Sequence, residues 1–293
     1  MGELSDKFVF LAASYPSRAY AGKADSHEIA RAVKAFLGAV FHQDGKIVFG
    51  GHPSISPLVL MMAREYGERG RVLIYQSELY RPLLVEATLA LAEEGFGEIR
   101  FVEAEPGESP EPGKCQGSLT RMRESMIEDA VAAVFIGGDT GLKEEFDLFV
   151  KRYPERPAIL VGAPGGMARE LAKSVGNIAF PETPGSVEQP TDSRNYNALM
   201  LRVVDHIRMG LAVRSLSVPQ LLRLKSYARE RIISLGPKAL GRNEKHLLAE
   251  AMTATVTRQR AWAKGVDLFS HLLGAMRSIS SMWRMSRDSG PYA

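Results

Sequence analysis

Apolar residues in the first 180 positions fall into short continuous runs, separated by segments in which they recur every three or four residues. The runs Lys7–Ala12, Lys46–Phe49, Arg71–Tyr75, Glu98–Val102, Ala132–Ile136 and Ala158–Val161 have the length of strands. Most of them, as in KIVFG, RVLIY, AVFIG and AILVG, do not alternate in polarity, which marks strands covered on both faces. Between the first two, His27–Phe41 sets Ile29, Val33, Phe36, Leu37 and Val40 on one helical stripe, with Ser26 placed to cap it. Further helices are predicted at Pro57–Tyr66, Pro82–Glu94, Ser118–Glu128, Lys143–Arg152 and Gly166–Ser174. Strands and helices in this alternation give an α/β fold with a doubly wound, mostly parallel sheet.

The pattern changes twice. EAEPGESPEPGKCQGS (103–118) is rich in Pro, Gly and Glu and reads as a loop between the fourth strand and its crossover helix, where a ligand-covering segment is expected. After the Pro-rich connection PETPGSVEQPTDS (181–193) the strand signal stops, and the chain reads as helix with breaks near Gly210, Pro219 and Gly236–Pro237. Charge divides at the same place: 21 Lys and Arg stand against 28 Asp and Glu in residues 1–200, but 16 against 6 in residues 201–293. Two regions are therefore expected, a sheet domain over 1–190 and a basic helical region over 191–293.

With 293 residues and 45% hydrophobic content the chain can bury a sizeable core, which excludes a disordered or fibrous protein. A single cysteine, Cys115, excludes an intramolecular disulfide and favours a reducing compartment. The apolar run FVFLAA near the start is too short for a secretion signal or a membrane span, so a cytoplasmic location is expected. His42, His206, His246 and His271 show no metal spacing with Cys or carboxylates, and no metal or resident cofactor is expected. Cys115 has no histidine beside it in sequence, and no G-x-S-x-G elbow occurs, so nucleophilic thiol or serine chemistry has no support.

Ligands of open parallel sheets bind at the carboxyl ends of strands, where a tight turn leads into a helix with unpaired first amides. Three predicted strands end in glycine turns: Gly50-Gly51-His52-Pro53-Ser54-Ile55-Ser56, Gly137-Gly138-Asp139-Thr140-Gly141, and Gly162 to Gly165-Gly166. In the first, two glycines admit close backbone approach, Ser54 and Ser56 offer hydroxyls and a cap, and His52 is either a ligand contact or a turn cap. In the second, amides and Thr140 suit an anion, while Glu144 or Glu145 can reach a ribose hydroxyl or a glycosidic bond; both acids also suit a helix start by charge alone. None of the three matches a Walker A or a G-x-G-x-x-G sequence, which lowers the weight of ATP hydrolysis and of NAD-dependent hydride transfer. By topology Ser14, Ser17 and Arg18 after the first strand, and Gln76 and Ser77 at the end of the third, would line the same rim.

The segments FVFLAAS (8–14), VFGGHPSISPLV (48–59), LTRMRESMIEDAVAAVFIGGDTGLKEEF (119–146) and ILVGAPGG (159–166) resemble the SLOG superfamily. That Rossmann-like group includes DNA-processing proteins of the DprA type and the LOG phosphoribohydrolases. The resemblance spans roughly residues 7–180 and is nearest to SLOG domains of bacterial conflict and antiviral signalling systems, which implies a nucleotide-derived ligand. LOG enzymes carry P-G-G-x-G-T-x-x-E with an arginine on the preceding helix. Here Ile136 replaces the proline and Thr140-Gly141 stands where Gly-Thr is expected. The spacing implies Glu144 as the acid and Arg121 as the arginine, with Arg123 the alternative. N-glycosidic cleavage builds positive charge on the ribose, which a carboxylate stabilises while an arginine neutralises a phosphate or assists the leaving group.

In the basic region, Trp262, Phe269, Met276 and Trp283 recur every seven residues, with Val266, Leu273 and Ser280 between them. Such a stripe docks on another helix of the chain or of a second copy, and homo-oligomerisation is the preferred expectation. Arg258, Arg260, Lys264, Arg277, Arg284 and Arg287 keep a membrane surface or a nucleic acid open as partners. Three functions are thus in play: sensing of a nucleotide-derived small molecule with the tail passing on the signal, a LOG-like phosphoribohydrolase or related N-glycosidase, and nucleic-acid binding in the DprA manner.

Overall fold

A computed structural model describes residues 4–17, 20, 22–175 and 190–215, the last three by backbone alone. The described residues lie within one compact unit, Met1–Ser215; the second unit runs from Leu216 to Ala293. Arg18, His246, His271, residues 176–189 and the whole heptad-like stripe of the tail lie outside the described residues.

Six strands form one parallel sheet: β1 (Phe8–Ser14), β2 (Lys46–Phe49), β3 (Val72–Ser77), β4 (Glu98–Val102), β5 (Ala130–Gly137) and β6 (Ala158–Val161), in the order β4-β3-β2-β1-β5-β6. The sheet is doubly wound as predicted. The continuous apolar runs resolve into the two-residue period of a strand, because each face has its own helical layer. Val9, Leu11, Ile47, Phe49, Ile74, Val134 and Ile136 share one core with α1 (Ser26–Phe41), α2 (Ser56–Tyr66), α3 (Glu86–Glu93) and α7 (Tyr196–Ser215). Phe10, Ala12, Val48, Leu73, Phe135 and Leu160 share the other with α4 (Gln116–Ile127), α5 (Thr140–Arg152) and α6 (Gly166–Val175). In that second core Phe135 meets Phe10 and Phe146 edge to face, with ring centroids 5.8 and 5.2 Å apart.

Helix α7, which the sequence pattern groups with the tail, packs in the first unit. Tyr196, Leu199, Met200, Val203, Val204 and Ile207 all join the α1 side of the core. The Tyr196 hydroxyl donates to the buried Glu28 carboxylate at 2.9 Å.

Three local expectations change. Asp25, not Ser26, caps α1, its carboxylate accepting from the amides of His27 and Glu28 at 2.9 and 3.1 Å. The helix expected over Pro82–Glu94 is divided: Pro82 sits in a 3-10 turn (Glu78–Leu83), Leu84 and Val85 are extended, and α3 begins only at Glu86. The Pro-rich loop of 103–118 folds back onto α4. Glu108 accepts from the amides of Gly117 and Ser118 at 2.8 and 2.7 Å, and Ser118 Oγ accepts from the Glu105 amide at 2.9 Å.

The strand-end glycines differ in what occupies the space beside them. At Gly166 (φ +71°) an added Cβ would stand 2.7 Å from the Gly137 carbonyl carbon, and at Gly165 (φ +92°) 2.3 Å from the Lys23 carbonyl oxygen. Gly107 (φ +80°) has nothing within 4 Å of that position. Alanine at either Gly107 or Gly166 pays for the left-handed backbone, about 1–2 kcal/mol; Gly166→Ala adds a backbone clash, about 1–3 kcal/mol more. Urea unfolding should rank the two variants in that order, and equal losses would contradict the close packing of the β5 and β6 turns.

Candidate functional site

Strand order reverses at β1, whose neighbours β2 and β5 lead to opposite ends of the sheet. A crevice is expected outside the carboxyl ends of the strands at such a point. A cleft of about 460 Å³ lies there, displaced toward β2 and β3. Leu11, Ala12 and Ala13 of β1, the turn Phe49–Pro53 after β2, and Gln76 of β3 form its floor. Tyr80, Leu83, Leu84, Val85 and Thr88 form one wall, and Leu119, Met122 and Arg123 of α4 with Glu145 of α5 form another.

Gly50, Gly51, His52 and Pro53 of the first glycine turn line the cleft. Gly51 (φ +62°) needs its left-handed backbone, and a Cβ there would meet Ile74 at 2.7 Å and the Gln76 amide nitrogen at 3.3 Å. His52 lines the cleft and stays exposed at its edge, and partial desolvation by the surrounding turn holds its imidazole below the ordinary range against the opposing pull of Asp139. Ser54 and Ser56 serve the turn itself. Ser54 Oγ accepts from the Tyr15 amide at 3.2 Å and lies 2.8 Å from His52 Nδ1, while Ser56 Oγ donates to the His52 carbonyl at 2.9 Å. Neither serine caps α2: the N-cap is Ile55, with no side-chain hydrogen bond to the helix amides.

The arginine and the acid come from neighbouring helices. Arg123 is 8% exposed, donates to Glu144 Oε2 at 2.5 Å, and places Nε 3.8 Å from Glu145 Oε1. Glu145 is the acid inside the cleft, whereas Glu144, with 47% of its side chain exposed, holds Arg123 from outside. Gly141 leaves room for the guanidinium: a Cβ there would come within 3.3 Å of Arg123 Nη2. Arg121, implied by the family spacing, turns the other way, toward Glu105 at 3.5 Å and Glu103 at 3.8 Å. Burial pushes the Glu145 carboxyl up to about 7, with the Arg123 charge opposing the shift and Glu144 adding to it. Near neutrality this group can hold or release a proton, as a general acid or base must.

The second glycine turn forms the adjoining rim. Gly138 N–H donates to the Ser14 carbonyl at 3.0 Å, joining β1 to the β5 turn. Gly137 (φ +65°) and Gly138 (φ +77°) pack against Ile29 and Leu142. Asp139 caps α5, accepting from the Thr140 amide at 3.1 Å, and its other oxygen accepts from Ser17 N and Oγ at 3.1 and 2.8 Å. The first amide of α5 is thus already taken by a carboxylate of the chain. Thr140 is exposed. Gly165 and Gly166 stand beside Lys23, Ala24 and Gly137, outside the cleft.

Sequence reasoning did not single out Tyr80, Leu83, Leu84, Val85, Thr88, Leu119 or Met122 as ligand-lining residues. The Pro82 break was the one signal available for the segment 83–85. The Tyr80 hydroxyl donates to Cys115 Sγ at 3.2 Å, and its pKa is pushed up to about 12, first by burial and then by Cys115. Among the described residues no group of His, Cys, Asp and Glu is placed to hold a metal ion, and no helix is long and apolar enough to cross a membrane.

A parallel, doubly wound sheet with a cleft at the carboxyl ends of its strands defines a Rossmann-like α/β protein. The model of the SLOG cluster3 family matches residues 19–188, and the chain belongs to that family. Family and sheet together point to a nucleotide-related function. No curated protein matches the chain. Among solved structures, the one described as the X-ray structure of TM1055, a structural genomics target, is 15% identical and covers 61% of this chain and 87% of its own, with a TM-score of 0.41.

The half-buried Glu145 yields a stability prediction. Its pKa in the unfolded chain is near 4.5 and in the folded protein about 7. Between these values the unfolded chain releases a proton that the folded protein keeps, so stability falls as pH rises through this window. Glu145→Gln should remove on the order of 3 kcal/mol of that fall, read as urea midpoints of the two proteins at pH 4.5 and pH 8. Parallel curves for the two proteins would contradict the desolvated placement of the Glu145 carboxyl.

Proposed function

We propose that the cleft binds a nucleotide-derived small molecule, and that the region after Ser215 passes on its occupancy through self-association. The observation that carries the reading is the buried Arg123 beside Glu145, in a cleft of about 460 Å³ next to the point where strand order reverses. The turn Gly50–His52, where glycine admits close backbone approach, lines the cleft and suits a phosphate. A carboxylate beside a guanidinium suits ribose hydroxyls, because the pair offers both an acceptor and donors. Calorimetry with nucleoside monophosphates, ADP-ribose and NAD should find at least one ligand. Arg123→Lys, which keeps the charge but not the planar fork, should then weaken its binding about tenfold or more, whereas Arg121→Lys should leave it unchanged. Silence across the panel from folded protein would overturn the reading.

Glu145 favours a second reading, hydrolysis of an N-glycosidic bond. Its raised pKa and its place in the cleft suit an acid or base acting at the ribose, which Glu144 on the outer side of Arg123 does not. If the bound nucleotide is turned over, Glu145→Gln should slow base release about 10²–10⁴-fold while binding persists, and Glu144→Gln should cost far less. Absence of base release by the wild-type protein would leave sensing alone.

A further inference from the structure

The cleft is poor in positive charge. Among the described residues that line it, Arg123 is the one arginine or lysine, Glu145 the one carboxylate, and His52 and Tyr80 the other groups able to titrate near or above neutrality. The Arg123 charge is already met, by Glu144 from outside the cleft and by Glu145 from within. With both glutamates ionised, the three side chains carry one net negative charge, which is the wrong sign for a phosphate.

Glu145 also borders the turn that suits the phosphate. A Cβ built on Gly50 would stand 3.8 Å from Glu145 Oε1, beside the Met126 sulfur at 3.3 Å and the Met122 methyl at 3.6 Å. The carboxylate therefore meets the turn among thioethers, with Arg123 of α4 and Glu144 of its own helix as its charged neighbours and His52 across the turn; the residues of β1 and β3 that line the cleft carry no charge. It keeps 18% of its side chain exposed, within reach of a ligand. An anion on Gly50–His52 and an ionised Glu145 would repel one another at close range, and such a pair is relieved by a proton. The carboxyl is the group that takes it, because its pKa in the free protein is about 7, whereas a phosphodiester stays ionised. A protonated carboxyl also changes from acceptor to donor and can hydrogen-bond a phosphate oxygen.

We propose that Glu145 takes up a proton when an anionic group of the ligand settles on the Gly50–His52 turn, so that the occupied site holds a neutral carboxyl donating to the anion. The proton comes from solvent and bonds to a Glu145 oxygen; no other bond changes. The inference rests on the nucleotide reading above. Below about pH 7 the free protein already carries the proton and affinity is flat; above it the complex keeps a proton that the free protein has released, so affinity falls by up to about tenfold per pH unit as pH rises. The test is calorimetry of the full chain at pH 8 in two buffers of different ionisation enthalpy, with nucleoside monophosphates, ADP-ribose and NAD and with the parent nucleosides. The anionic probes that bind should draw about one proton from the buffer, a nucleoside far less, and Glu145→Gln should abolish the uptake. Infrared difference spectra of the wild type at the same pH should show a protonated carboxyl gained on binding, a readout that needs no variant. Binding without uptake, uptake that survives in Glu145→Gln, equal uptake for a nucleoside, or no carboxyl gained would each overturn the linkage while the nucleotide reading stands. No binding of any probe by the wild type would overturn both.

Discussion

The pairing of β1 with β5 is the constraint from which the site follows. These two strands run parallel and in register from Val9 opposite Ala132 to Ser14 opposite Gly137, yet they are far apart in sequence. Because β2, β3 and β4 build outward on one side of β1 and β5 and β6 on the other, the connections leaving β1 and β5 diverge. Helix α4, which leads into β5, and α5, which leaves it, lie on the same face of the sheet, and Arg123 from one meets Glu144 and Glu145 from the other. Cross-links between turns hold the edge in place: Gly138 to the Ser14 carbonyl, Asp139 to Ser17, and Tyr15 to Ser54.

Within that frame the balance of charge is set by burial rather than by a surplus of cations. Arg123 is removed from water and needs counter-charge. Glu144 supplies it from the exposed side at 2.5 Å, and Glu145, 3.8 Å from Nε, is left as the less strongly paired carboxylate in a drier place. The two adjacent glutamates are chemically identical in sequence and different in the fold. One step along a helix turns a side chain by about 100°, which is enough to carry it from the mouth of the Arg123 pocket to its interior.

This is also where the sequence was least informative. The strand cores could be read because continuous apolar runs such as KIVF and AILV begin and end where the sheet does. The glycine turns could be located, but not their use. A glycine that admits a ligand and one that admits a neighbouring backbone look alike in sequence, and Gly165 and Gly166 are of the second kind. Family spacing selected Glu144 and Arg121, with Arg123 as the alternative arginine and Glu145 as a further ligand contact; the Thr140-Gly141 order departs from the family motif, and of these four the structure puts Arg123 and Glu145 in the cleft.

A nucleotide caught in the cleft by crystallography tests the central claim most directly. The ribose is predicted to lie within hydrogen-bond distance of Glu145 and Arg123, between the Gly50–His52 turn and the wall of Leu83–Thr88. A nucleotide seated elsewhere on the domain, with this cleft unfilled, would contradict it.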